Sequence, residues 1–300
     1  MRPFSVLTLA LVALPALAAP PALALPDAPR IAFVGNTLVE RDFHHGYLET
    51  LLINAFPDKA VTFRNLGWSG DTVRCEARSG FGQAADGYKH LARHVADLKP
   101  NVVILNYGLN ESFAGPGGLD AFKTEFAQLL DLFNKNAAGT QMIVLSIFAQ
   151  EDLGRPLPDP AKQNENVRLY NAAMKQAAES AGHTFIDLYD LAAAFGKANL
   201  GKRFTDNSIH PTPAGHKFFG EQVVRQLGLT VPEKWDDRLE QIRKLTVEKN
   251  TLFFHRWRPQ NETYIFGFRK REQGRNAVEI PQFDPLIAEK EAAIAKLRKN

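Results

Sequence analysis

The chain alternates short apolar runs rich in β-branched residues with longer segments in which apolar residues recur at helical spacing. This alternation is typical of a parallel sheet whose connecting helices cover both faces. The apolar runs predict five strands, at residues 31–34, 61–65, 102–106, 142–148 and 184–188. The helical spacing predicts helices at residues 46–56, 86–98, 118–134, 164–181 and 214–227. The sequence therefore predicts a doubly wound α/β domain.

Residues 1–24 have the features of a secretory signal peptide. Arg2 precedes an apolar run, and small residues near its end fit a cleavage site. A membrane anchor is the competing interpretation, but three prolines interrupt the run, and spanning a bilayer takes roughly 20 apolar residues. We predict cleavage at Ala18 or Ala24, export to the periplasm or the extracellular space, and no membrane span in the mature chain.

The rest of the chain divides at about residue 231. Residues 25–231 contain all the predicted strands, whereas residues 232–300 contain a charged helical stretch, a basic aromatic segment and an amphipathic run. With too few strands for a core of its own, this second part is expected to be an appendage packed on the main domain. Its Arg256-Trp257-Arg258 stretch could bind an anionic glycan or another domain, or could simply cover a surface helix.

Charge and cysteine content exclude several classes of protein. A net charge of +3 over 300 residues is small, and a protein that binds nucleic acid normally concentrates a larger excess of Lys and Arg on one face. Cys75 is the only cysteine, so an intramolecular disulfide is impossible. A lone cysteine near arginines could be an activated nucleophile, but it is more often a small buried apolar residue.

Polar or glycine-containing turns follow three of the predicted strands and contain Thr37, Gly67 and Asn110, while a later segment contains His210. The carboxyl ends of parallel strands meet at one edge of the sheet, where ligands bind. A hydroxyl, a base and hydrogen-bond donors are what acyl transfer requires.

The four segments resemble, in order and spacing, the conserved blocks of SGNH/GDSL hydrolases, over roughly residues 31–227. The segments are Gly35-Asn36-Thr37-Leu38, the glycine Gly67, Gly108-Leu109-Asn110-Glu111 and Asn207-Ser208-Ile209-His210-Pro211. The resemblance implies a flavodoxin-like sheet of the SGNH-hydrolase type and ester hydrolysis without a metal or organic cofactor. It also implies roles for four residues, with Thr37 as nucleophile, His210 as base, and Thr37, Gly67 and Asn110 as the oxyanion hole.

Two departures from the family pattern affect the expected chemistry. Thr37 stands where the family has serine, and its methyl group restricts rotation of the side chain. Asn207 stands three residues before His210, where the family has the aspartate that orients the base, and an amide cannot stabilise an imidazolium as a carboxylate does. Asp206 lies one position earlier and is an alternative orienting residue.

Each of these residues also has a purely structural interpretation. Thr37 could cap a helix, Gly67 could serve a tight turn, and Asn110 could be a turn or cap residue. The pair His44-His45 lacks partners at metal-ligand spacing, so no metal site is predicted. Ser69 lies in a segment that lacks the closing glycine of a nucleophile elbow, so we interpret it as a turn residue.

Two functions remain open at this point. The first is an ester hydrolase acting on a carbohydrate or small ester, such as an acetyl group on an extracellular polysaccharide. The second is a catalytically inactive module of the same fold that binds carbohydrate or a partner protein. The sequence does not determine the oligomeric state.

Overall fold

The computed structural model of the protein describes residues 22–272 and 275–299. Its strands form one parallel sheet in the order β2-β1-β3-β4-β5. The strands are β1 (Arg30–Gly35), β2 (Thr62–Asn65), β3 (Val102–Asn106), β4 (Gln141–Leu145) and β5 (Thr184–Ile186). This arrangement confirms the predicted doubly wound α/β fold.

Strands β4 and β5 end earlier than predicted. The Ser146 hydroxyl accepts the Leu188 N–H at 2.7 Å, so a side chain takes the place of a main-chain partner beyond the last regular pair, Leu145 and Ile186. The ladder therefore stops although the sequence on both sides stays apolar.

The helices flank the sheet on both faces. They are α1 (Thr37–Asp42), α2 (Tyr47–Ala55), α3 (Ala84–Leu98), α4 (Leu109–Ser112), α5 (Leu119–Asn136), α6 (Ala161–Ser180), α7 (Leu191–Ala198), α8 (Pro213–Gln226), α9 (Asp237–Trp257), α10 (Glu262–Ile265) and α11 (Phe283–Arg298). Short 3₁₀ helices occupy Glu76–Ser79, Gly115–Gly118 and Asn276–Gln282. Helices α1, α4, α7 and α10 were not predicted, because segments of four to eight residues are too short to show a helical period.

The central strand β3 is buried on both faces, as expected for a sheet covered by two helical layers. Val102 and Ile104 face the core formed with α2 and α8. Val103 and Leu105 face the opposite core, formed with α3, α5 and α6. The alternation follows from the two-residue period of a strand.

The carboxyl ends of β1, β2 and β3 lie side by side. Phe33 pairs with Asn65 of β2, and Gly35 pairs with Asn106 of β3. A Cβ atom at Gly35 would lie 2.3 Å from the carbonyl oxygen of Asn106, so this close approach requires glycine. The turns that follow these strands are thereby brought to one edge of the sheet.

The appendage is held to the α/β domain by buried polar contacts. Helix α9 packs against α2, β2 and α11. Its Lys249 ammonium is buried and donates to the Glu49 carboxylate of α2 and to the Phe63 carbonyl of β2. Asn250 donates to the other carboxylate oxygen of Glu49 at 2.9 Å. The two helices therefore share one buried ion pair.

Residues 1–21 of the predicted signal peptide lie outside the described residues. Of its last three residues, Leu23 is buried and its N–H donates to the Leu227 carbonyl at 2.9 Å. Of the two predicted cleavage positions, the one at Ala18 retains this contact. In the part of the chain that is described, no helix combines the length and apolar character needed to cross a bilayer.

Candidate active site

Thr37 is the first residue of α1 and lies two residues after the end of β1. The helix is capped by Asn36, whose side-chain oxygen accepts the Leu38 N–H at 3.3 Å. The Thr37 hydroxyl is therefore not used as the cap. Its Oγ1 instead accepts the main-chain N–H of Gly70 at 3.1 Å. A hydroxyl with a backbone donor on its oxygen stands at the carboxyl edge of the sheet.

His210 lies in a compact turn before α8. The Asn207 side-chain oxygen accepts the N–H groups of Ile209 and His210, at 3.3 Å and 2.9 Å. These contacts leave the Asn207 amide nitrogen facing Nδ1 of His210 at 2.9 Å. An amide nitrogen can donate but not accept, so Nδ1 is the acceptor and the neutral ring carries its proton on Nε2.

Asp206 does not contact the His210 ring. Its carboxylate pairs with Arg41 at 3.6 Å, and about half of its side chain is exposed. Of the two residues that could orient the base, Asn207 is the one whose side chain lies against the ring. Ser208, the next residue, adopts a φ of 77° in this turn.

Thr37 and His210 line the same narrow cavity, about 20 Å³ in volume, at the carboxyl edge of the sheet. Its remaining walls are mainly apolar and include Leu38, Leu109, Ile147, Phe148 and Ile209. Among the described residues, no hydrogen bond joins the Thr37 hydroxyl to the His210 ring. Burial lowers the pKa of His210, and the nearby Arg41 cation lowers it further, so the imidazole is neutral at pH 7.

Two side-chain amides of the cavity wall lack partners. The Asn36 and Gln150 amide nitrogens are buried and make no hydrogen bond within the described residues. A buried donor without a partner costs about 1–3 kcal/mol. An acceptor atom of a ligand in the cavity would relieve that cost.

Gly67, predicted as an oxyanion donor, packs against α1 and uses its N–H within the turn. Its N–H donates to the Asn65 side-chain oxygen at 2.8 Å, and a Cβ atom there would lie 2.3 Å from the Glu40 nitrogen of α1. Glycine is needed because α1 passes so close. The glycine whose N–H faces Thr37 is Gly70, three residues later in the same turn.

Asn110 stands beside the same turn. Its amide nitrogen donates to the Asp71 carbonyl at 2.8 Å, which leaves its second amide hydrogen for another acceptor. Asn110 is not among the residues that line the small cavity. Its demonstrated contact therefore fixes the turn that carries Gly70.

A buried ionic network that we did not predict holds Asp71, at the end of the turn that contains Gly70. Arg78 Nε donates to the Asp71 carboxylate at 2.6 Å, and the Tyr107 hydroxyl donates to the same oxygen at 2.8 Å. Both side chains of the ion pair are fully buried. The sequence gives no signal that singles out this pair, because Arg74 and Glu76 lie in the same stretch.

The alternative nucleophile and metal candidates have structural roles. Cys75 is buried, and burial raises the pKa of its thiol to about 12, so the reactive thiolate is absent at neutral pH. His45 stacks on the buried His216 with ring centres 4.1 Å apart. Within residues 22–272 and 275–299, no three His, Cys, Asp or Glu side chains are grouped so that they could hold a metal ion.

The profile of the GDSL-like Lipase/Acylhydrolase family matches residues 33–218, more than half of the chain. The chain belongs to this family. The match begins within β1, ends within α8, and includes Thr37 and His210.

Several solved structures share the fold of this chain. An acetylxylan esterase mutant from Geobacillus stearothermophilus is 20% identical over 71% of this chain and 100% of its own, with a TM-score of 0.53. A GDSL-like protein from Parabacteroides merdae is 15% identical over 70% of this chain and 100% of its own, with a TM-score of 0.55. At these identities the likeness concerns the fold.

A third similar structure extends into the appendage. A gut microbial diltiazem-metabolizing enzyme matches with 11% identity over 94% of this chain and 97% of its own, with a TM-score of 0.66. Among curated protein sequences, none matches this chain.

Proposed function

We propose that this family member is an ester hydrolase of low turnover that removes a small acyl group, such as acetyl, from a carbohydrate or other alcohol. The observation that carries the proposal is the shared cavity, which brings the Thr37 hydroxyl and the His210 ring together across a distance of more than 170 residues in sequence. The acetylxylan esterase among the similar structures supports a carbohydrate ester as the substrate class.

The size of the cavity favours a short acyl chain. A volume of about 20 Å³ is little more than the 10–15 Å³ that one water molecule needs. A methyl group, which is about as large as a water molecule, fits such a space. The apolar side chains around it suit the methyl group of an acetyl ester.

The proposed reaction proceeds through an acyl-enzyme. In its minor tautomer, with the ring proton on Nδ1, His210 accepts the Thr37 hydroxyl proton on Nε2 as Oγ1 attacks the acyl carbon, and the same nitrogen then protonates the departing alcohol as the ester C–O bond breaks. The need for this tautomer is the reason for the low turnover that we propose. Water, deprotonated in turn by His210, attacks the acyl-Thr37 ester and releases the acid. The chemistry uses no metal or organic cofactor.

The negative charge that develops on the carbonyl oxygen needs donors in fixed positions. The Gly70 N–H, which lies on the Thr37 oxygen in the free enzyme, is the best placed main-chain donor. The Thr37 N–H and the second hydrogen of the Asn110 amide complete the proposed oxyanion hole. The unpartnered Asn36 and Gln150 amides of the cavity wall are further donors for the substrate.

A second candidate function is favoured by the contact between Asn207 and His210. With its proton on Nε2, the ring is a hydrogen-bond donor and not a base. A donor ring beside the unpartnered Asn36 and Gln150 amides suits the binding of a ligand oxygen without chemistry. The chain would then be a carbohydrate-binding or protein-binding module that retains the family fold.

Hydrolysis of small aryl acetates distinguishes the two functions. The hydrolase proposal predicts that the wild type releases the aryl alcohol faster than Thr37→Ala and His210→Ala, which should match the rate in buffer. Equal release by all three proteins would leave the binding module as the better proposal.

We also propose that the protein is exported. The basic and apolar leader supports this proposal. N-terminal sequencing of the mature protein from the periplasmic or culture fraction tests it, and a retained Met1 in a cytoplasmic fraction would contradict it.

A further inference from the structure

The appendage reaches the candidate active site through Arg258, the residue that follows α9. Its Nη1 donates to Glu40 Oε2 of α1 at 2.6 Å. The guanidinium carbon also lies 3.7 Å from the centre of the Trp68 ring. The Arg258 and Glu40 side chains are 27% and 18% exposed, so the ion pair is largely shielded from water and is less weakened by solvent than a surface pair.

Glu40 connects this arginine to the turn that faces Thr37. Its Oε2 accepts the Ser69 N–H at 2.8 Å, and its Oε1 accepts the Ser69 hydroxyl at 2.7 Å. The next residue is Gly70, whose N–H lies on the Thr37 oxygen. A continuous set of contacts thus runs from the appendage to the hydroxyl that we propose as nucleophile.

Packing alone does not hold Gly70 in place. It is exposed, with a φ of 76°, and a Cβ atom built on it would meet no atom within 4 Å. Asp71 on its far side is fixed by the buried Arg78. On its near side, the Trp68 N–H donates to the Gly35 carbonyl at 2.9 Å. The side-chain contacts on this side are those of Ser69 with Glu40 and of Trp68 with Arg258.

We propose that Arg258 is a positioning residue of the active site, holding Glu40 and Trp68 so that the Gly70 N–H faces the Thr37 oxygen. The proposal rests on the proposed hydrolase function. It gives the appendage a defined task, since the cation that pairs with Glu40 comes from the appendage.

The experiment compares three variants of the full chain. Arg258→Ala removes the contacts with Glu40 and Trp68. Arg258→Lys retains the charge but not the planar group that stacks on Trp68. Arg256→Ala is the matched control, because Arg256 is an arginine of the same segment whose ion pair goes to Asp284 of α11 at 2.8 Å. Amide hydrogen exchange at Ser69 is measured without substrate, and kcat and KM are measured with an aryl acetate.

Arg258→Ala should speed exchange at Ser69 at least tenfold (~10×) and lower kcat about tenfold to a hundredfold with little change in KM, since a misplaced catalytic group can cost about a hundredfold. Arg258→Lys should fall between Arg258→Ala and the wild type in both measurements. Arg256→Ala should match the wild type in both. If Arg258→Ala does not fold, Glu40→Gln, which weakens the same contact from the other side, should speed the exchange at Ser69.

Unchanged Ser69 exchange in Arg258→Ala would overturn the proposal, as would an equal change in Arg256→Ala. Faster exchange with unaltered kcat in an active enzyme would also overturn it. If the wild type has no esterase activity but Arg258→Ala still speeds exchange at Ser69, the hydrolase proposal is refuted. The role of Arg258 in positioning the turn is then supported.

Discussion

The side-chain amide of Asn207 donates a hydrogen bond to Nδ1 of His210 across 2.9 Å. The direction of this bond is fixed, because the Asn207 oxygen already accepts two main-chain N–H groups. The neutral imidazole therefore carries its proton on Nε2, whereas a general base at that nitrogen needs a free lone pair. We expect the tautomer set by Asn207 to be the main restraint on the hydrolysis that we propose at this site.

Replacing Asn207 with aspartate should release this restraint. A carboxylate accepts a hydrogen bond from Nδ1–H, so Nε2 becomes free to take a proton. The opposite change costs about 10⁴ in rate in a serine protease, and we expect Asn207→Asp to raise kcat by up to that factor (~10⁴). Steady-state kinetics with aryl acetates measures it, and the double variant Asn207→Asp/His210→Ala should return to the rate in buffer. A single variant no faster than the wild type would contradict the tautomer argument.

Thr37→Ser should raise kcat several-fold, because removing the methyl group frees rotation of the hydroxyl about χ1. Thr37→Val is the matched variant, since it keeps the branched shape and lacks the hydroxyl. We expect Thr37→Val to lose activity completely while its thermal unfolding remains close to that of the wild type. Activity in Thr37→Val would show that another group is the nucleophile.

The narrow cavity predicts selectivity for acyl length. One extra methylene in an apolar pocket is worth about 10–200-fold in specificity, so kcat/KM for an aryl acetate should exceed that for the butyrate at least tenfold (~10×). Ile209 lines the cavity, so Ile209→Ala should enlarge it and reduce the ratio of kcat/KM for acetate to that for butyrate. Leu200→Ala, at a side chain that is 88% exposed, should leave the ratio unchanged, and a wild type that prefers butyrate would refute the assigned acyl site.

The architecture was predictable from sequence because each strand is a short apolar run between turn residues, and the long helices show a clear period. The polar turns after β1 and β3 likewise predicted that Thr37 would lie near the later segment with His210. Which glycine of the second turn faces Thr37 was not predictable, because the choice depends on how closely α1 passes Gly67. Arg258 could not be predicted either, since it meets Glu40 from 218 residues away.

The distinction between Asp206 and Asn207 was also beyond the sequence. Both residues stand before His210, and which side chain turns to the ring depends on the local backbone, where Ser208 has a positive φ. The sequence left both Asp206 and Asn207 open as the residue that orients His210. The carboxylate instead faces the cation of Arg41.

Glu111 gives the fold a specific pH dependence. Burial raises the pKa of its carboxyl from 4.5 to about 7, although the Val73 N–H that it accepts opposes the shift. Between these two values the folded state binds more protons than the unfolded state, so the free energy of unfolding falls as pH rises through that range. A shift of this size corresponds to about 3 kcal/mol.

Glu111→Gln should therefore stabilise the protein above pH 7, where the buried carboxylate is charged, and change stability less near pH 4.5. Urea denaturation at several pH values measures the effect. Glu179→Gln, at an exposed glutamate of α6, is the control and should leave the pH profile unaltered. Equal effects of Glu111→Gln at both ends of the range would contradict the raised pKa.

The ion pair between Lys249 and Glu49 predicts that the appendage unfolds together with the main domain. Removing one partner of a buried pair leaves an uncompensated charge and costs about 3–5 kcal/mol, so Lys249→Met should lower the free energy of unfolding by that amount. Lys290→Met, at an exposed pair with Glu248, should change it by less than about 1 kcal/mol. A separate early transition for the appendage in the wild type would contradict the shared core.

Trapping of an acyl-enzyme tests most directly whether Thr37 is the nucleophile activated by His210. The wild type and Asn207→Asp are mixed with excess aryl acetate and quenched in acid, and peptide mass spectrometry then locates any acetyl group. The proposed mechanism predicts one acetyl group on Thr37, absent from His210→Ala and from Thr37→Val. Hydrolysis by the wild type with an acetyl group on another residue, or at a rate unaffected by either substitution, would contradict it.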